Sequence, residues 1–158
     1  MPPLGGEPAD ADTLVSSLAA TRTPVELERI ETAAKIADAG FAALCETARV
    51  GMWEHELAAE VEAAMQAAGS DDNYGLLAAG SHNLAIRAPT NRTLEKGDLI
   101  VGEITPCYRG YFAQLCRTLV LGEPNDVQRQ KYDMLIRAQQ AGFAAAKPGL
   151  PSAGIAQW

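Results

Sequence analysis

The stretch Gly97 to Gly122, GDLIVGEITPCYRGYFAQLCRTLVLG, constrains the fold most. It reads as two strands, rich in Leu, Ile and Val, joined by a tight Pro/Gly turn. Each strand carries one polar side chain out of keeping with its neighbours, Glu103 in the first and Gln114 in the second. Strand alternation puts Phe112, Gln114, Cys116, Thr118 and Val120 on one face and Leu115, Arg117 and Leu119 on the other. Glu103 can then face Gln114 across the hairpin. Two readings of the pair stand open: a carboxylate–amide bond that satisfies both groups, or a substrate site, since buried polar pairs in strands need a reason.

Helices flank the hairpin. Thr23-Pro24-Val25-Glu26 is a capping box with proline at the first helical position. Leu27, Ile30, Ala34, Ala37, Phe41, Leu44 and Ala48 follow as one apolar stripe, which Gly51 ends. A second helix is expected over about 54–68, though Trp53 stands where a Ser, Thr or Asp cap is usual. Between 70 and 97 the Asp, Asn, Gly and Ser content predicts loops with short extended pieces such as Leu76 to Ala79. Asn125 to Gln128 opens another capped helix that closes at Lys147-Pro148-Gly149, and Pro151-Ser152 begins one more. Residues 1–22, rich in Pro, Gly, Ala and Asp, read as a flexible tail, and 23–158 as the folded part. The order helix, helix, hairpin, helix gives an α+β class, with helices on one face of an antiparallel sheet. No short internal repeat is expected.

At 158 residues, 47% hydrophobic and 21% charged, the chain fits one soluble globular domain. A net charge of −7 argues against nucleic acid, which clustered Lys and Arg would bind. No 18-residue apolar run exists, so no membrane partner is expected. The start lacks a signal-peptide pattern, and three cysteines without a CxxC pair fit free thiols in a reducing cytoplasm. Cys116 is read as a small core residue, His55 as a surface group, and Tyr108 and Tyr111 as hairpin packing.

The segments TPVELERIETAAKIADAGF, VGMWEHELAAEVEAAM, APTNRTLEKGDLIVGEITPCYRGYFAQLCRTLVLGEP and AGFAAAKPG come in an order that resembles the pita-bread family of peptidases, family M24. Methionine and Xaa-Pro aminopeptidases and prolidases belong to it, with creatinase as a non-peptidase relative. The resemblance covers about residues 20 to 158 and implies the first half of a pseudo-symmetric domain whose site lies between two halves. It implies aspartate metal ligands at the positions of Glu103 and Gln114, and a substrate-binding His at the position of Arg87. The family's later His and two Glu ligands have no counterpart after Lys147.

An amide carries no charge for a hard cation, and arginine repels one. The expectation is therefore a substituted site: no metal, no cofactor, and Arg87, Glu103, Gln114 and His82 as substrate-binding residues. Hydrolysis of an Xaa-Pro-like or other small C–N bond is the implied chemistry, with this chain inactive alone. A non-catalytic module that dimerises or pairs with a complementary half is the alternative.

Overall fold

The computed structural model describes residues 10–81 and 85–150. Its elements run α1 (Asp12–Ala19), α2 (Pro24–Thr47), α3 (Glu54–Ala67), β1 (Asp72–Gly80), β2 (Leu99–Tyr108), β3 (Tyr111–Phe112), β4 (Leu115–Val120) and α4 (Asp126–Ala145). The α+β class holds, with α2 and α3 packed on one antiparallel sheet.

The capping box at Thr23 forms as its sequence predicts. Thr23 Oγ1 accepts the Glu26 N–H, and the Glu26 carboxylate accepts the Thr23 N–H at 2.7 Å. Asn125 and Gln128 repeat the device at the start of α4. The likeness extends further than the caps. Ala39-Gly40-Phe41 follows Thr23 at the same spacing as Ala141-Gly142-Phe143 follows Asn125, and Val25 matches Val127. So α2 and α4 share a pattern at long separation. Their surroundings differ. Ala33, Ile36, Ala37, Gly40 and Leu44 of α2 are buried, whereas α4 has no buried residue and its Leu135 and Phe143 are exposed.

The region between α3 and β2 departs from expectation, because β1 is a nine-residue strand rather than loops. Gly75, Ala78 and Ala79 weaken its local preference. Pairing with β2 along its whole length, from Asp72↔Cys107 to Gly80↔Leu99, overrides that weakness. Within the segment read as a tail, Asp12–Ala19 form the short helix α1, with Leu14, Val15 and Leu18 exposed.

The hairpin turn also lies elsewhere than expected. Pro106 is buried within β2, and the reversal is made by Arg109 and Gly110, with φ of 50° and 82°. Two successive positive φ values match the right-handed twist of the flanking strands. Proline has no N–H to give the ladder, and the pairing of β2 lapses between Ile104↔Leu115 and Cys107↔Phe112, where Pro106 stands.

Among the described residues α2 and α3 cover one sheet face, and the other is open around Tyr74, Gln114, Cys116 and Thr118, though Ala78 on it is buried. Leu77, Ile100 and Ile104 meet Leu44, Leu57 and Met65 in the core beneath the helices. A Cβ on Gly40 would come within 2.8 Å of Met65 and 2.9 Å of Ile104, so glycine is what lets α2 approach. Alternation sends Tyr74, Leu76, Val101, Glu103 and Thr105 to the opposite side, with Gln114, Cys116 and Thr118 from the neighbouring strand. The last three are exposed, as is Tyr74.

Candidate functional site

Glu103 and Gln114 meet on the open face. In register Glu103 stands opposite Cys116 and Ile104 opposite Leu115, which carries Gln114 to the position facing Thr105. Glu103 and Gln114 are thus diagonal neighbours, a separation that two long side chains span. Gln114 Nε2 donates to Glu103 Oε1. Glu103 is half-buried and Gln114 exposed, and the hydroxyl of Thr105, which faces Gln114, is buried without a partner.

Cys116 proves exposed, not a core residue, while Cys107 is the buried thiol. Burial of its sulfur, and then the Glu103 carboxylate beside it, push the Cys116 thiol above its ordinary pKa, with Arg117 opposing.

Arg87 is held elsewhere. Its Nη2 donates to Glu54 Oε1 at 3.1 Å and to the Ala79 carbonyl at 3.4 Å. Its own carbonyl accepts the Leu77 N–H at 3.1 Å, so the segment around it lines the free edge of β1. His82 lies outside the described residues. Of the four expected site residues, then, the structure brings together Glu103 and Gln114.

The polar centre that sequence reasoning missed is Glu54. It is fully buried at the start of α3. Oε1 accepts the Ala79 N–H at 2.7 Å and the Arg87 guanidinium, while Oε2 accepts the Thr90 N–H at 2.9 Å and its hydroxyl at 2.7 Å. Burial alone would raise its pKa. The Thr90 hydroxyl, the backbone N–H groups of Ala79 and Thr90, and the Arg87 charge outweigh it and hold the carboxyl below its usual range.

The loop that Glu54 binds repays α3 in turn. Arg92 and Thr90 carbonyls accept the N–H groups of Glu54 and His55, and Glu56 accepts the Trp53 N–H at 2.8 Å. That is why Trp53 can stand at an N-cap without a capping side chain. His55 Nδ1 lies 3.3 Å from the Thr90 carbonyl, and its ring rests against Trp53. A second buried carboxylate, Asp98, takes both Arg92 Nη groups, at 2.6 and 3.0 Å, with the Glu95 N–H at 2.8 Å. Glu54 and Asp98 look like any other surface acid in the sequence, since Glu56 and Glu95 stand beside them.

Comparison with known proteins places this geometry. The sequence pattern of metallopeptidase family M24 matches residues 28–157. The Xaa-Pro dipeptidase of Pyrococcus furiosus is 34% identical over 142 residues, 88% of this chain and 41% of that protein. A probable dipeptidase, PepE, of Mycobacterium tuberculosis is 31% identical over 150 residues, 93% of this chain and 40% of that protein. Among solved structures, the prolidase from Pyrococcus furiosus superposes with a TM-score of 0.86 at 33% identity, covering 91% of this chain and 44% of that one. The dipeptidase PepE from Mycobacterium ulcerans gives 0.87 at 26% identity, covering 94% and 41%. The chain therefore spans about two-fifths of the relatives it matches.

The expectation that no cofactor is involved is overturned, because the family matched is one of metallopeptidases. At the two positions where the resemblance implies ligands, the described residues carry the Glu103 carboxylate and the Gln114 amide. No group of three or more His, Cys, Asp or Glu comes together among the described residues. These residues do not by themselves make a closed site for a hard cation, which relies on several anionic oxygens. Substitution at two positions speaks for those positions alone and does not amount to loss of the ion. With α2, α3 and the antiparallel sheet in the arrangement of the N-terminal part of the pita-bread prolidases, the chain belongs to metallopeptidase family M24.

Proposed function

We propose that this chain forms the substrate-facing N-terminal part of a hydrolase acting on Xaa-Pro-like peptides or another small C–N bond. The hydrogen-bonded pair Glu103–Gln114 on the uncovered sheet face carries the reading. Polar groups on a strand face away from the core are free to meet a ligand, and nothing in the packing of α2 or α3 requires them there. Similarity to proteins named Xaa-Pro dipeptidase supports the substrate class. A divalent ion supplies Lewis acidity in metallopeptidases. Glu103 and Gln114 Oε1 are the oxygens this chain turns toward such an ion or toward the substrate. Arg87 and Glu54 act as positioning groups that fix the β1 edge beside that face.

Catalytic acid–base groups do not assemble among the described residues, so the chain alone is inactive. Purified chain incubated with Ala-Pro or Met peptides, with and without Mn²⁺ or Co²⁺, releases no N-terminal residue. Metal-stimulated release overturns this reading.

A second reading, a dimerising or scaffold module, is favoured by α4. Val127, Tyr132, Met134, Leu135 and Phe143 are each more than half exposed there. Surface of that kind marks a contact with another chain or segment. An unfolding midpoint that rises with protein concentration supports it, and a concentration-independent midpoint with a monomeric mass removes it.

A further inference from the structure

We infer that Tyr111 is a positioning residue for Gln114, because it ties the break between β3 and β4 to the start of α2, 85 positions back in the sequence. This rests on the open sheet face being the substrate-facing surface, and it adds what fixes Gln114 there from the covered side. Gln114 belongs to neither strand. β3 ends at Phe112 and β4 begins at Leu115, and in register Pro106 stands opposite Ala113. The Ala113 N–H donates to the Pro106 carbonyl at 3.2 Å, as in a pair that exchanges two hydrogen bonds, but proline has no N–H to return. The ladder therefore leaves the backbone that aims Gln114 with one bond in place of two.

A side chain supplies the missing restraint. Alternation turns Phe112 and Gln114 to the open face and Tyr111 to the covered one, where β3 packs against α2. The Tyr111 hydroxyl donates to Glu26 Oε1 at 3.1 Å, and the Arg29 guanidinium carbon lies 5.4 Å from the centre of its ring. Glu26 divides its carboxylate between two duties. Oε2 accepts the Thr23 N–H and hydroxyl, both at 2.7 Å, which closes the cap of α2, while Oε1 takes Tyr111 with Arg22 at 3.7 Å.

Those contacts separate what the ring does from what the hydroxyl does. Packing on α2 and the contact with Arg29 need only the ring, and phenylalanine would serve. The hydroxyl adds a bond to an ionised acceptor, which is stronger than one between neutral groups. The Thr23 N–H and hydroxyl, with Tyr111 and Arg22 adding less, hold the Glu26 carboxyl below its usual range, so it stays ionised at neutral pH. The bond thus anchors the chain three positions before Gln114 to a helix whose Ala33, Ile36, Ala37 and Leu44 are buried in the core. From that held backbone the Gln114 amide reaches Glu103.

The test compares amide exchange and nuclear Overhauser contacts at neutral pH in the ¹⁵N-labelled wild type, Tyr111→Phe and Thr23→Ala. Tyr111→Phe keeps the ring, the Arg29 contact and the cap. Thr23→Ala removes the partners of the other Glu26 oxygen and weakens α2 without touching Tyr111. Expected in Tyr111→Phe is exchange at Ala113 about tenfold faster, while Leu121, whose N–H donates to the Asp98 carbonyl, changes less than about twofold. The contacts between the Gln114 side-chain amide and the Glu103 methylenes weaken with it. In Thr23→Ala the ratio of Ala113 to Leu121 exchange and the Gln114 contacts stay as in the wild type, which a general loss of stability in both variants would not produce. Tyr111→Phe indistinguishable from wild type at Ala113 and Gln114, or matched by Thr23→Ala, overturns the inference and leaves the open face as the functional surface. Gln114–Glu103 contacts missing from the wild type itself sink that reading, and the inference with it.

Discussion

Replacing Glu54 by Gln tests how far one buried carboxylate organises the sheet edge. The substitution keeps size and shape but turns one acceptor oxygen into a donor. With Oε1 still accepting from Ala79 and Arg87, the new NH₂ faces the Thr90 N–H, and only the Thr90 hydroxyl can rotate to accept from it. The Thr90 N–H and the amide N–H facing it are left without acceptors, which costs at least about 1–3 kcal/mol, and the remaining bonds lose their charge assistance. Arg87 adds little, because 43% of its side chain is exposed and water can take the place of the ion pair. The expected loss is about 2–4 kcal/mol, which at a urea m-value of about 2 kcal/mol/M lowers the midpoint by about 1–2 M.

The matching control is Glu56→Gln. Its exposed side chain keeps an oxygen for the Trp53 N–H, and the unfolding free energy stays within about 0.5 kcal/mol of wild type. Acid adds a second arm. The folded pKa of Glu54 is depressed, so its contribution is complete above the usual carboxylate range and is lost as pH falls through the folded value. The gap between wild type and Glu54→Gln therefore narrows toward low pH. Amide exchange at Ala79 and Thr90 quickens in the variant at neutral pH. An unfolding free energy within about 0.5 kcal/mol of wild type, with both amides as protected as before, refutes the reasoning.

Other residues give sharper, smaller tests. Gly40→Ala drives a Cβ into Met65 and the stiff branched end of Ile104, costing about 1–3 kcal/mol against about 1 kcal/mol gained in helix propensity, so thermal stability falls. Thr23→Ala and Asn125→Ala each remove a capping acceptor worth about 1 kcal/mol; the Thr23 loss registers in global unfolding, whereas the Asn125 loss frays α4 locally, since α4 has no buried residue to couple it to the core. Cys116 and Cys45 react with a thiol reagent in the folded chain and Cys107 does not. Glu103→Gln removes a charge that raises the Cys116 pKa, so its labelling at pH 7–8 becomes faster while that of Cys45 is unchanged. Unchanged Cys116 labelling would place Glu103 away from the thiol.

Helices α2, α3 and α4 were legible in the sequence because their signals are local, whereas α1 was not. Thr23-Pro24-Val25-Glu26 and Asn125 to Gln128 state the cap, the first turn and the direction of the chain within four residues. The meeting of Glu103 and Gln114 was legible as well, since alternation along two adjacent strands fixes which side chains share a face. Strand β1 was not, because Gly75, Ala78 and Ala79 carry no strand preference and the element is held by its long pairing with β2. The Pro106 turn was misplaced for a similar reason: proline signals a break in hydrogen bonding, and here it breaks one ladder inside a strand while Arg109 and Gly110 turn the chain. Glu54 acquires its role only when residues 79, 87 and 90 come round to it, contacts 25 to 36 positions distant in sequence.

The most direct test of the site is the side-chain amide of Gln114 in a ¹H–¹⁵N spectrum, with nuclear Overhauser contacts to the Glu103 methylenes. The account predicts a dispersed, slowly exchanging NH₂ pair that shows those contacts and collapses to free-amide shifts in Glu103→Ala. A Gln114 amide at free-amide shifts in the wild type, indifferent to Glu103→Ala, would mean that the two residues do not meet and that the open face holds no such site.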